Sequence, residues 1–157
     1  MDELKFAVIG NPVSHSLSPD IHLFFASQFQ LERYTYNKIK SNENDFERDI
    51  NDFFKNGGVG LNVTVPFKGL AYNLCDELDQ SAGLCKSVNT VLIDSGKLIG
   101  HSTDGQGLID DFLHKEITLE DSKILIIGAG GSAASIISSL LFHGKIKEIS
   151  ILNRTKS

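Results

Sequence analysis

The stretch Ile124-Leu125-Ile126-Ile127-Gly128-Ala129-Gly130-Gly131-Ser132-Ala133 decides the fold. The apolar run, with Lys123 before it, reads as a short buried strand, and the glycines read as a turn into a helix whose apolar residues continue to about Phe142. G-x-G-x-x-A placed between a strand and a helix is the dinucleotide fingerprint in the context it requires. Gly128 permits the tight turn, Gly130 lets a pyrophosphate approach the backbone, and Ala133 keeps helix and strand close. The helix N-terminus then offers unpaired N–H groups to phosphate. Gly144 stops the helix and Glu148–Leu152 reads as the next strand, which completes one βαβ unit.

The end of that second strand bears on the nucleotide. NAD sites usually place Asp or Glu there for the ribose 2′-hydroxyl, but this chain has Asn153-Arg154-Thr155. A guanidinium and a hydroxyl suit a 2′-phosphate, because Arg presents a fork of donors to phosphate oxygens. NADP is the expected cofactor.

Upstream, the hydrophobic period switches repeatedly between 2 and 3.6. Lys5–Ile9 reads as a strand broken by Gly10-Asn11-Pro12. Ser18 is the expected N-cap of a helix carrying Ile21, Phe24, Phe25 and Phe29, with Pro19 at its first position. Tyr34, Tyr36 and Ile39 alternate as in a half-buried strand, and Phe46, Ile50, Phe53 and Phe54 mark a helix stopped by Asn56-Gly57-Gly58. Val59–Val65 forms a strand closed by Pro66. Phe67–Asp76 and Glu77–Lys86 read as short helices, Val88–Ile93 and Leu98–Gly100 as a hairpin about Asp94–Lys97, and Thr103-Asp104 as the cap of another helix. The expected class is α/β: a three-layer αβα domain with a mostly parallel sheet over 1–102, then the start of a Rossmann-type domain over 103–157. A doubly wound nucleotide fold is built from two βαβαβ halves, and barely one βαβ is present, so a truncated chain is expected.

Composition narrows the function. A net charge of −5 over 157 residues disfavours nucleic-acid binding, and the apolar runs are too short to cross a bilayer. The start MDELKFAVIG carries acidic residues where a secretory signal needs basic ones, so a cytoplasmic location is expected. Cys75 and Cys85 lack CxxC spacing and a companion His cluster, so reduced thiols are expected, with no zinc site and no disulfide.

Small polar residues collect where α/β sheets bind ligands, at the ends of strands. In Gly10–Pro19 (GNPVSHSLSP), Ser16 and Ser18 are placed to donate to a carboxylate, although Ser18 is also explained by capping alone. In Asn62–Lys68 (NVTVPFK), Asn62 and Thr64 share a strand face and Lys68 follows. SVNT at 87–90 and STDG at 102–105 supply Asn89 and Asp104. In this order and spacing, with GAGGSA and NRT, these segments closely resemble the shikimate dehydrogenase family over nearly the whole chain.

The resemblance implies NADP-dependent reduction of 3-dehydroshikimate to shikimate in aromatic amino acid biosynthesis, in a cleft between a substrate-binding and a nucleotide domain. By it, Ser16 and Ser18 bind the substrate carboxylate, Thr64, Asn89 and Asp104 contact its ring oxygens, and Lys68 is the acid/base, held in place by Asp104. Gly128, Ala129, Gly130, Gly131 and Ser132 go to the pyrophosphate turn and Asn153, Arg154 and Thr155 to the adenosine phosphate. Gln80 falls on the cofactor side, where the family commonly carries an acidic residue. Relatives often have a basic residue at Ala134, and they continue with more nucleotide sheet and a C-terminal helix. The expected partner is this small molecule, with no nucleic acid and no membrane, and a homodimer is allowed. Two alternatives stand: a quinate-oxidising relative that tolerates NAD, and a non-catalytic ligand-binding module.

Overall fold

A computed structural model describes residues 3–155. The first sheet contains β1 (Leu4–Gly10), β2 (Tyr34–Lys40), β3 (Gly58–Val63), β4 (Glu77–Leu78), β5 (Thr90–Asp94) and β6 (Lys97–His101), in the order β2-β1-β3-β5-β6-β4. Pairings β1–β2, β1–β3 and β4–β6 are parallel, while β5 is antiparallel to both its neighbours. β5 alone runs against the rest, so the sheet is mostly parallel, as expected.

Strand alternation sorts the side chains into two cores. Ala7, Ile9, Leu61, Val63 and Val91 meet α2 (Phe46–Lys55), α3 (Lys68–Leu74) and α4 (Gln80–Cys85) through Phe46, Ile50, Phe54, Ala71 and Ala82. On the opposite face Val8, Val13 and Tyr36 cluster, and α1 (Ser18–Gln28) lays His22 flat on the Tyr36 ring at a centroid distance of 4.3 Å. The result is three αβα layers.

The second sheet pairs β7 (Lys123–Ile127) in parallel with β8 (Glu148–Leu152), and α6 (Gly131–His143) makes the crossover. Helix α5 (Asp104–His114) packs on α6, and Ile109, Leu119 and Leu140 form a small core with Ile124, Ile126 and Ile149 against it. Gly144 ends α6 at φ 78°, the left-handed stop expected of a C-terminal glycine. Among the described residues, no helix is long and apolar enough to cross a membrane.

Three local expectations are corrected. Glu77 and Leu78 pair with Ile99 and Gly100 as a strand rather than starting a helix. The helix begins only at Gln80, because Asp79 is extended and its side chain accepts the Ala82 N–H, which makes Asp79 the cap. Ser18 is the first helical residue and Leu17 the N-cap; the Ser18 N–H is taken by Ser16 Oγ at 3.2 Å. Val88 and Asn89 precede β5, since their N–H groups bond to the carbonyls of Lys68 and His101. The hairpin turn itself is as read: Ser95 (φ 50°) and Gly96 (φ 81°) are both left-handed, matching the strand twist.

Candidate active site

Because β5 is reversed, its first residue lies beside the last residues of β3 and β6, with the end of β1 next to β3. The loops that leave these ends therefore share one edge of the sheet. Lys68 opens α3, Asp104 opens α5, and Asn89 stands just before β5. The Lys68 ammonium forms an ion pair with Asp104 Oδ2, the side chains being 12% and 23% exposed. Asn89 Nδ2 donates to Asp104 Oδ1 at 2.7 Å and to Thr103 Oγ1 at 2.9 Å, while the Thr103 N–H donates to Asn89 Oδ1 at 3.0 Å. Both carboxylate oxygens are thus occupied and the carboxylate is fixed in orientation.

The glycine turn lies directly on this pair. Lys68 Nζ donates to Ser132 Oγ at 2.9 Å, and that hydroxyl donates to Asp104 Oδ2 at 3.2 Å. A methyl group on Gly131 would stand 2.7 Å from Ser87 Oγ and 3.3 Å from Lys68 Cβ, so a side chain there would force the turn away. The Ser87 hydroxyl is buried and has no hydrogen-bond partner among the described residues. Nearby, Ser135 Oγ accepts the Gly105 N–H at 3.0 Å and the Ser102 hydroxyl at 2.8 Å, so a serine of α6 satisfies the first turn of α5.

On the other side of the edge, Ser16 Oγ donates to Ser18 Oγ at 3.1 Å. Burial pushes the nearby Tyr36 phenol up to about 12. The Tyr36 hydroxyl donates to Asn62 Oδ1 at 2.6 Å, Asn62 Nδ2 donates to Thr90 Oγ1 at 3.2 Å, and Thr90 Oγ1 donates to Asn89 Oδ1 at 3.1 Å. Thr64 packs against Gly10, where a Cβ would overlap its methyl group, and its N–H bonds to the Ile9 carbonyl at 2.9 Å.

Among the residues expected to hold the nucleotide, Gly128 has φ 112°, and no atom of the described residues lies within 4 Å of the space a Cβ would fill on Gly128 or Gly130. Such a bare cradle at the start of α6, with Ala129 between the glycines, fits a pyrophosphate. The Gly128 N–H bonds to the Leu152 carbonyl at 2.8 Å, which brings the turn to the end of β8. Asn153, Arg154 and Thr155 lie exposed just beyond, and no carboxylate stands among them. The residues present therefore fit a 2′-phosphorylated dinucleotide.

The structure gathers Lys68, Asp104, Asn89, Gly131 and Ser132 into one cluster and groups Ser16 with Ser18. Gln80 is not part of it: with Gln106, Ser135, Ser139 and Phe142, it lines a cavity of about 160 Å³ between α4, α5 and α6. Sequence reasoning missed Tyr36 and Thr90 as members of the polar network. For Tyr36 the available signal was a phenol on a strand face that must be buried, since a buried tyrosine hydroxyl needs a partner.

Fold and site together define an α/β protein in which a lysine–aspartate pair lies against a dinucleotide-type glycine turn. The chain belongs to the shikimate dehydrogenase substrate binding domain family, whose model matches residues 8–91. It is 43% identical over 152 residues to the shikimate dehydrogenase (NADP(+)) of Acinetobacter baylyi, covering 97% of this chain and 57% of the relative. The same enzyme of Acinetobacter baumannii is 45% identical over 151 residues, again with 57% of the relative covered. The chain thus spans a little over half the length of the curated relatives it matches. Among solved structures, Thermus thermophilus shikimate 5-dehydrogenase in complex with NADP(H) and shikimate superposes with a TM-score of 0.88 at 31% identity, covering 97% of this chain and 56% of that one. Listeria monocytogenes shikimate 5-dehydrogenase in complex with shikimate and NAD gives 0.88 at 32% identity, covering 99% and 53%.

Proposed function

We propose that this protein catalyses the reversible, NADP-dependent reduction of 3-dehydroshikimate to shikimate, with residues 1–102 holding the hydroxylated acid and residues 103–157 opening the nucleotide domain. The observation that carries this reading is the Lys68–Asp104 pair in contact with Ser132 of the glycine turn, since it joins a proton donor to the edge where a nicotinamide nucleotide is expected. Gly128, Ala129, Gly130, Gly131 and Ser132 would hold the pyrophosphate and Asn153, Arg154 and Thr155 the adenosine phosphate. Bound NADPH supplies hydride to the carbonyl carbon of the acid.

As negative charge grows on the carbonyl oxygen, the Lys68 ammonium stabilises it and delivers its proton there; in the oxidative direction Lys68 accepts the proton back. Asp104 keeps the ammonium in place and takes a hydrogen bond from a ring hydroxyl, and Asn89 holds the carboxylate in orientation. Ser16 and Ser18 donate to the carboxylate of the acid, and Thr64 and Asn89 meet its ring oxygens. Gln80 lies on the cofactor side in this reading. Ser132 must move off the Lys68–Asp104 pair to admit the acid, so binding requires the two sheets to part at the glycine turn. Cytoplasmic residence and a homodimer belong to the same reading.

NAD tolerance is a second reading, favoured by the Listeria relative's complex with NAD. Both are tested by following shikimate oxidation with NADP⁺ and with NAD⁺, on residues 1–157 and on the full polypeptide its gene encodes. Preference for NADP⁺ is expected, and absence of shikimate oxidation from the full polypeptide overturns the proposal. Lys68→Ala should lower kcat about a hundredfold or more with little change in KM, as removal of a general acid does. An unchanged kcat removes Lys68 from the chemistry.

A further inference from the structure

The loop that carries Ser16 and leads into Ser18 is fastened to the first sheet at several points. Val13 anchors it, packed beside Val8 and Tyr36 and only 4% exposed. The Ser16 N–H closes a turn on the Val13 carbonyl at 3.1 Å, and Ser16 Oγ takes the Ser18 N–H at 3.2 Å. Two more bonds tie the loop to β2. Asn11 Nδ2 donates to the carbonyl of the buried Ser41, just past the end of β2, at 3.0 Å, and Lys38 Nζ, on β2 itself, donates to the Ser14 carbonyl at 2.6 Å. The Asn11 N–H meanwhile donates to the Val65 carbonyl at 2.9 Å and the Thr64 N–H to the Ile9 carbonyl at 2.9 Å, so β1 and β3 stay paired beyond their last ladder residues. Asn11 is therefore a joint. Its backbone bonds to the segment that carries Thr64 and Lys68, and its side chain bonds to the end of β2. Asn11 and Lys38 are both exposed, so neither fills the core; what their donors do is fix where the loop lies.

We propose that Asn11 and Lys38 are positioning residues for the carboxylate of the small acid: they strap the loop of Ser16 and Ser18 to β2, at a set place relative to Thr64 and Lys68. This deepens the shikimate reading above and rests on it. An acid held at its carboxylate by the serines and at its carbonyl by Lys68 spans two segments of chain, and its alignment depends on the distance between them. Because the loop is already ordered in the empty site, it has little freedom left to lose when the carboxylate arrives. Asn11 and Lys38 touch neither acid nor nucleotide; they act through the loop.

The test is steady-state shikimate oxidation by the full polypeptide the gene encodes. Asn11→Ala keeps the backbone bond to Val65 but deprives the Ser41 carbonyl of its donor, and it is expected to raise the KM for shikimate about fivefold, the scale of one lost hydrogen bond. KM for NADP⁺ and kcat should stay within about twofold, the split expected when only binding of the acid is weakened. Asn11→Asp has the same shape and no donor, so it should raise the shikimate KM at least as far. Lys38→Met, which keeps most of the stem and drops the ammonium, should raise the same KM. Since Asn11 is uncharged, a rise in the variants of both residues reports the strap rather than a lost attraction for an anion. An unchanged shikimate KM in any of the three variants, an equal rise in both KM values, or a matching fall in kcat overturns the proposal. Failure of the wild-type polypeptide to oxidise shikimate refutes instead the function on which it rests. A ligand-free measurement keeps the strap open to refutation even then. In the wild-type NMR spectrum the Asn11 side-chain amide protons should exchange slowly and show contacts to Ser41, and freely exchanging protons without that contact remove the strap.

Discussion

Ser41 shows how a single hydroxyl ties the start of α2 to the sheet. It is buried just after β2 and donates to Asp49 Oδ2 at 2.7 Å, and that hydrogen bond is the main reason the Asp49 carboxyl is held below its ordinary value of 3.8. Arg48, at 2.9 Å, adds to the same effect. A depressed carboxyl contributes stability that is present above its unfolded value and is lost as pH falls through the folded one. Ser41→Ala should therefore cost about 1 kcal/mol at neutral pH, the ordinary worth of such a bond, and the difference from wild type should vanish in strong acid. Denaturant unfolding across pH checks this, and a difference that persists below the titration of Asp49 contradicts it. At this scale the sequence was only partly informative. Lys68, Asp104 and Asn89 were legible because each follows the end of a strand or precedes the start of one. Tyr36 and Thr90 were not, because a buried hydroxyl's partner depends on strand pairing across the sheet, and pairing is invisible in a linear pattern.

Between elements, α5 and α6 pack closely at Gly105. Gly105 has no room for a Cβ, which would overlap the Ser135 carbonyl and the Ser139 hydroxyl, and the carbonyl belongs to a helical backbone that cannot turn aside. Gly105→Ala should cost about 2 kcal/mol, typical of overpacking, and should loosen the contact through which Ser135 caps α5. Thermal unfolding gives the cost; a Tm equal to wild type would mean that the helices slide apart freely. Gly105 lies in the STDG segment, whose glycine reads from sequence only as part of a cap, since its true constraint comes from a helix about thirty residues further on. Helix α2 was legible because Phe46, Ile50 and Phe54 repeat at helical spacing and all three are buried. Residues 77–86 were misread because so short a stretch has too few apolar positions to separate a two-residue strand and a capped turn from one helix.

For the molecule as a whole, the two sheets are unequally protected. In the first sheet β1 ends in four buried residues, Ala7 to Gly10, whereas Leu125 and Ile127 of β7 and Leu152 of β8 remain 61%, 78% and 59% exposed. Two strands with one covered face give little independent stability. Amide hydrogen exchange should accordingly show the greatest protection in β1 and β3 and markedly less in β7 and β8; equal protection in both sheets would contradict this. The architecture itself was readable, because the alternation of periods and the glycine fingerprint sit far apart and each specifies its own unit. The β5–β6 hairpin has a further use at this scale. It leaves the site at Asn89 and returns to it at Ser102, and its five-residue strands carry the Ser95-Gly96 turn about 17 Å outward. The excursion closes on itself through its own ladder, so a reporter peptide spliced between Ser95 and Gly96 would sit on a stalk whose base stays clamped, offering engineers a handle on the protein remote from its chemistry.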